Sequence, residues 1–233
     1  MKTMLFLRAR PAVARGEFQD WVLRCYTPMA MRAVTGLQRL AVDTVIDPPP
    51  GIAYRPASDP ASRAGADARP ACDVVLQVWG ETPAQCGPWL AGASAELDAL
   101  VETRQAYAVT ETVVWDREGA ATGALPGLKY LAILDFHDDL PDSAARRSWS
   151  LHAALARRVH VGCTRYAQNW IDEALVPGIA PARGIPELYF PSESELLHRF
   201  FDSPRGREEV LHETQHFIRS GPRLYAREHV LRA

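Results

Sequence analysis

The sequence predicts an α+β fold made of two βαββαβ units whose sheets face one another within one chain. Three observations carry this. A helix-to-strand passage occurs twice: Trp21, Gly36, Arg39 and Asp47 fall in the same order as Trp149, Gly162, Arg165 and Asp172. In both halves the spacing of apolar residues switches between helical and alternating in the same succession of elements. Finally, the segment Leu128 to His137 is apolar on both parities, with Leu128, Tyr130, Ala132 and Leu134 on one and Leu131 and Ile133 on the other. A strand of that kind needs cover on both faces. Helices can cover one face of each sheet and the sister sheet the other, which closes a barrel from a single polypeptide.

Lys2 to Arg10 alternates loosely and reads as a first strand. Arg15 to Ala33 places Phe18, Trp21, Val22, Cys25 and Met29 at helical spacing, with Pro28 expected to kink or end the helix. Leu37 to Ile46 is the next strand. From Asp47 to Ala71 the chain is rich in Pro and Ala and has no periodicity, so a long, mobile surface loop is expected. Cys72 to Trp79 reads as strand, Pro83 to Arg104 as helix and Gln105 to Trp115 as strand. Arg117 to Pro126, with Gly119, Gly123 and Pro126, is the linker between halves. The first unit thus spans residues 1–118 and the second 125–233. In the second, Leu128 to His137 is strand, Pro141 to His160 helix, Cys163 to Asp172 strand and Ile185 to Phe190 strand. Helices at Glu193 to Phe201 and Arg205 to Arg219 follow, and Arg223 to Arg232 is the last strand. Two βαββαβ units make a pair of ferredoxin-like sheets.

Composition narrows the function classes. The 233 residues carry a formal net charge of -2, with acidic and basic residues mixed along the chain, which gives no field for a polyanion. No nucleic-acid partner is expected. Lys2 and Lys129 are the only lysines. No stretch approaches the roughly 20 apolar residues of a spanning helix, and the apolar run at the N-terminus is cut by Arg8 and Arg10, unlike a secretory signal. Cys25, Cys72, Cys86 and Cys163 are scattered without a CxxC pair, so neither a zinc knuckle nor a disulfide framework is indicated. A cytoplasmic location without membrane contact suits these features.

The chemistry-bearing residues gather in Trp149 to Asp172. His152 is the leading candidate for proton transfer, because an imidazole ordinarily titrates at about 6.5 and Trp149, one turn earlier, can supply a dry wall. Its plain alternative is an amphipathic residue on a half-buried helix face. Tyr166, Gln168 and Trp170 share one face of their strand, whereas Arg165, Ala167 and Asn169 share the other. The first set can line an apolar pocket with hydrogen-bonding tips. Glu187 and Tyr189 share a parity on the next strand and are expected to converge on that pocket, with an arginine pair as the commoner fate of Glu187. His212 to His216 reads HETQH, a formal match to the zinc motif HExxH, with Glu213 as base, but no strong third ligand follows. GASAE at Gly92 misses the serine-nucleophile pattern by its last residue, and no dinucleotide or phosphate loop is present.

Residues 125–232 resemble an EthD domain of the dimeric α+β barrel superfamily. The matching features are Trp149 with His152, the GCTRYAQN strand at Gly162 to Asn169, ELYF at Glu187 to Phe190, and SPRGREEVLHETQHF at Ser203 to Phe217. The first half matches in layout only, with Arg24 where His152 would stand. The resemblance implies an intrachain version of the dimeric barrel and no cofactor or metal. It also implies a small, largely apolar or aromatic ligand handled in oxidative catabolism or polyketide-like secondary metabolism, with a homodimer as an allowed assembly. His152 would be catalytic, and Trp149, Tyr166, Gln168, Glu187 and Tyr189 would bind substrate. The other function it leaves open is a non-catalytic accessory or ligand carrier for an oxygenase; the competing reading, from the HETQH motif and not from the resemblance, is a zinc hydrolase through His212, Glu213 and His216.

Overall fold

The structure is a computed structural model and describes residues 1–33, 36–52, 70–81, 95–119, 121–176 and 182–232. The strands are β1 (Lys2–Ala9), β2 (Arg39–Ile46), β3 (Val74–Trp79), β4 (Val101–Asp116), β5 (Gly123–Ala124), β6 (Leu128–Ala132), β7 (Asp135–Phe136), β8 (Arg165–Ala174), β9 (Gly184–Phe190), β10 (Ile218–Ser220) and β11 (Arg223–Arg232). Eight of them run antiparallel in the order β2-β3-β1-β4-β8-β9-β6-β11, and β11 pairs back onto β2 to close a barrel. Each half contributes four neighbouring strands, and in each half their order is second, third, first, fourth. The halves are stitched by β4 on β8, from Tyr107↔Ala174 to Asp116↔Arg165, and by β11 on β2, from Tyr225↔Ile46 to Arg232↔Leu40. Closure leaves no long unpaired edge among these eight strands, which removes the usual route to edge-to-edge association.

The period of two explains the three cores. On β1, Leu5 and Leu7 point outward to the first-half helices, whereas Met4 and Phe6 point into the barrel. On β6, Leu128, Tyr130, Ala132 and Leu134 face the second-half helices, whereas Leu131 and Ile133 join the inner core. The double-sided apolar pattern of this strand therefore has the cause expected of it: helices cover one face and the opposite barrel wall the other.

The helices are α1 (Arg15–Trp21), α2 (Thr27–Ala33), α3 (Ala95–Leu100), α4 (Asp142–Val159), α5 (Glu193–Arg199) and α6 (Pro204–Thr214). Between α1 and α2 lies a π-helical turn, Val22–Tyr26, so the helix neither ends nor breaks at Pro28. The i→i+5 register gives the Thr27 N–H the Val22 carbonyl, and the Thr27 hydroxyl donates to the same oxygen at 2.6 Å. The wider turn thus comes just before the residue that lacks an N–H of its own. Helix α4 has a stripe of Ala145, Trp149, His152, Ala156 and Val159 buried against the sheet. Its Asp142 and its Arg157 and Arg158 sit at the ends that the helix dipole favours. Ser192 and Ser203 cap α5 and α6 by accepting from Glu195 N and Gly206 N, and Pro204 occupies the first turn of α6.

Three expectations are corrected. Val101 to Arg104 is strand, not helix, because pairing of Thr103 with Arg8 and Val101 with Ala9 overrides local preference. Leu128 to His137 is not one strand: it breaks after Ala132, and β7 pairs with β10 in a separate two-stranded sheet. The last helix stops at Thr214 rather than Arg219, since Phe217 turns into the aromatic core beside Phe136 and Ile218 opens β10. Of the long loop, residues 53–69 lie outside the described residues, as does the first part of the Pro83 to Arg104 segment. Among the described residues no helix is long and apolar enough to cross a membrane.

Candidate functional site

Four of the expected residues meet on the outer face of the second-half sheet. Helix α4 brings Trp149 and His152 over β8, whose outward side chains are Tyr166, Gln168 and Trp170. The Gln168 amide donates to the Trp149 carbonyl at 2.8 Å and to the Tyr166 hydroxyl at 2.9 Å, tying helix to strand inside an apolar layer. Trp149 can lie this close because β9 opens with Gly184: a Cβ there would come 2.6 Å from the indole ring. Phe136 meets the edges of Trp149, Trp170 and Phe217, fixing the aromatic wall.

Trp149, His152 and Tyr166 border a cavity of about 60 Å³. Its floor is the sheet, with Tyr130, Tyr166 and Leu188; its roof is Trp149, His152 and His160 of the α4 segment and Val210 and Thr214 of α6; Phe200 closes one side. The space corresponds to about two water molecules at ~30 Å³ each. His152 is buried, and its Nδ1 lies 2.6 Å from Oε2 of Glu213 on α6. Since a carboxylate accepts, Nδ1 carries the proton and Nε2 is left as the basic nitrogen. His160 donates from Nδ1 to the Phe200 carbonyl at 2.7 Å, and burial holds its pKa down at about 4, so it stands neutral. Burial pushes the Tyr166 hydroxyl well above the ordinary phenol range, which keeps it a hydrogen-bonding neutral group. The result is one imidazole backed by a carboxylate, with a second imidazole and a phenol, on an aromatic wall.

Glu187 and Tyr189 do not join this cavity. The register pairs Tyr166 with Leu188 and Ala167 with Glu187, so both expected residues point to the opposite face of the sheet, into the barrel. There they belong to a cluster that the sequence reading missed. Lys129 lies 2.9 Å from Asp43, 3.0 Å from Glu187 and 2.7 Å from Glu228; Lys2 lies 2.5 Å from Glu187 and 2.7 Å from Glu111. Gln77 donates to Asp43 and Glu187, Arg165 pairs with Glu228, and Tyr189 accepts from Gly127 N at 2.9 Å. Burial alone would raise the carboxyl of Glu187, but Lys129 and Lys2 hold it well below the carboxylate range. For Asp43 burial prevails, and its pKa rises to about 6 against the pull of Lys129. Both lysines of the chain are therefore spent inside the barrel, a signal visible in the sequence only as the rarity of lysine.

The HETQH residues do not act together. Glu213 is turned inward to His152, while His212 Nδ1 sits 3.0 Å from the Gln215 amide and stacks edge-on with His216. Among the described residues no group of three His, Cys, Asp or Glu side chains is arranged to hold a metal ion.

The fold and this cavity define an α+β barrel protein with a half-buried imidazole–carboxylate pair outside the barrel wall. No family model matches the chain, and no curated protein does. Solved structures do match in fold. An anthrone oxidase-like protein superposes with a TM-score of 0.62 at 12% identity, covering 99% of this chain and 90% of its own. A candidate monooxygenase from Lactobacillus acidophilus gives 0.56 at 9% identity over 99% and 95% of the two chains, and one from Fusobacterium nucleatum 0.55 at 9% over 99% and 92%. At these identities the likeness is one of fold.

Proposed function

We propose that this protein is a cofactor-free, EthD-like enzyme of oxidative or secondary metabolism that moves a proton on a small, largely apolar or aromatic molecule. The single observation that carries this is the His152–Glu213 pair on the wall of an aromatic-lined cavity. Nε2 of His152 takes a proton from the substrate, Glu213 steadies the imidazolium that forms, and Tyr166, oriented by Gln168, offers a neutral hydroxyl to a substrate oxygen. Trp149, Tyr130 and Leu188 on the cavity wall limit the water around these few polar contacts, which strengthens them. The oxidase-like and monooxygenase-like names of the fold neighbours agree with an oxidative setting. The chain is read as a tandem repeat, residues 1–118 and 125–233, in which only the second copy keeps a reactive pair; the shared strand order of the two halves supports this.

The test is a panel of phenols and cyclic aryl ketones incubated in D2O under air, followed for deuterium uptake by NMR and for oxygen consumption. A converted compound should lose about 10²–10⁴-fold in rate with His152→Gln, the contribution of one proton-transfer group. Undiminished conversion by a folded His152→Gln protein would end the catalytic reading.

A further inference from the structure

Outside the cavity, a groove of about 450 Å³ runs between α5 and α6, with Leu196, Phe200 and Phe201 on its apolar side and Asp202, Arg207 and Glu208 on its polar side. Phe200 lines both spaces. Its ring is held by Phe190 at 5.2 Å, Tyr130 at 5.3 Å and His160 at 5.0 Å between centroids, and its carbonyl receives the His160 hydrogen bond. The phenyl group thus stands as the partition between a groove large enough for a small molecule and an inner space that is too small for one.

We infer that groove and cavity are the two halves of one binding site, with Phe200 as the residue that decides how deeply a ligand reaches toward His152. This rests on the functional reading above. The groove would hold the non-reacting part of the molecule. Arg207 indicates what that part carries: it lines the groove, and the terminal N–H groups of its guanidinium are donors that can meet an oxygen of the ligand. With Asp202 and Glu208 on the same rim, the groove suits a neutral oxygen, a carbonyl or a phenol, better than a carboxylate. The ligand class is therefore a flat, neutral, oxygenated aromatic, seated on Phe201 and Leu196 and oriented by Arg207.

The probe is 1-naphthol, titrated by calorimetry and by NMR of the histidine side chains, neither of which depends on turnover. Wild type should bind it, and Arg207→Ala should weaken binding about tenfold, as for loss of one hydrogen bond from a charged donor. Phe200→Ala enlarges the inner space toward the ~150 Å³ that admits a benzene ring. In that variant, naphthol should shift the ring signals of His152 and His160 further than it does in wild type; Phe200→Leu, a milder change, guards against loss of fold and should give an intermediate shift. Failure of wild type to bind naphthol at millimolar concentration overturns the inference. So does binding indifferent to Arg207→Ala, or histidine signals that shift no further in folded Phe200→Ala and Phe200→Leu than in wild type. Binding as expected, with turnover unaffected by His152→Gln, would sink the catalytic reading and leave the two-part site standing.

Discussion

Nδ1 of His152 and Oε2 of Glu213 lie 2.6 Å apart although 61 residues separate them in the chain. The pair joins α4 to α6 over the cavity, and the Arg158–Glu209 ion pair joins the same two helices nearer the surface. The His152 side chain is 8% exposed and that of Glu213 37%, so the contact is partly screened and adds little to stability. Its value is positional. In Glu213→Gln, the amide can hold the ring but no longer fixes the proton on Nδ1 with a charge. For any compound the wild type converts, kcat/KM should fall at least about tenfold and its pH profile should change shape, while the denaturation midpoint moves by no more than about 1 kcal/mol in equivalent stability. A pH profile identical to wild type would show that Glu213 only braces the helices.

The outer half of this arrangement was legible in the sequence. Helical spacing places Trp149 and His152 on the same stripe of α4, alternation places Tyr166 and Gln168 on one face of β8, and both patterns hold in the structure. What alternation cannot decide is which face of one strand continues which face of the next. Glu187 and Tyr189 shared a parity, as expected, but the offset that pairs Ala167 with Glu187 puts them inside the barrel. A strand buried on both sides gives no apolar-to-polar contrast from which to read that offset. Glu213 was hidden differently: its motif suggested a metal, and its true partner lies on another helix.

The barrel cluster should dominate stability. Lys129 is surrounded by three carboxylates, and Asp43 and Glu228 face each other directly across the β2–β11 seam that closes the barrel. Burial opposes the charge on Lys129, yet Asp43, Glu187 and Glu228 together raise its pKa above the usual lysine range. In Lys129→Met these carboxylates keep their burial and lose their common counter-charge. Breaking such a buried network costs about 3–5 kcal/mol, which urea denaturation would read directly. A loss under 1 kcal/mol would mean that water already reaches the cluster.

Gly184 is expected to tolerate no side chain. A Cβ would sit 2.6 and 2.7 Å from two atoms of the Trp149 ring, and that ring is fixed in turn by Phe136 and Trp170. Gly184→Ala should therefore cost about 1–3 kcal/mol, the usual range for overpacking a filled core, and should alter the near-ultraviolet dichroism of the indoles. Wild-type stability with an unchanged spectrum would place Trp149 away from β9.

His160 gives the protein a pH dependence whose sign can be stated. Its ring is enclosed by Phe200 and Phe201, and burial depresses its pKa to about 4 despite the hydrogen bond to the Phe200 carbonyl and the charge of Asp202; His152, facing the same space, depresses it further. In the unfolded chain the same imidazole titrates at about 6.5. Between these values the unfolded state binds a proton that the folded state refuses, so stability falls as pH drops from about 6.5 to about 4, by on the order of 3 kcal/mol at the lower end, and is constant above that window. Asp43 works the other way. With its folded pKa raised to about 6, it takes a proton before its unfolded counterpart does, which adds stability over the lower part of the same range. The two slopes partly cancel in the wild type, so the informative quantity is the difference from His160→Asn, whose amide can still donate to the Phe200 carbonyl but does not titrate. At pH 7 the variant should be the less stable, having lost ring contacts with Phe200 and Phe201. As pH falls toward 4 the gap should close and then reverse if the packing loss is smaller than the proton penalty. A gap that stays constant from pH 7 to pH 4 in paired urea titrations would show that His160 carries no buried, neutral imidazole and that the wall between groove and cavity is open to water.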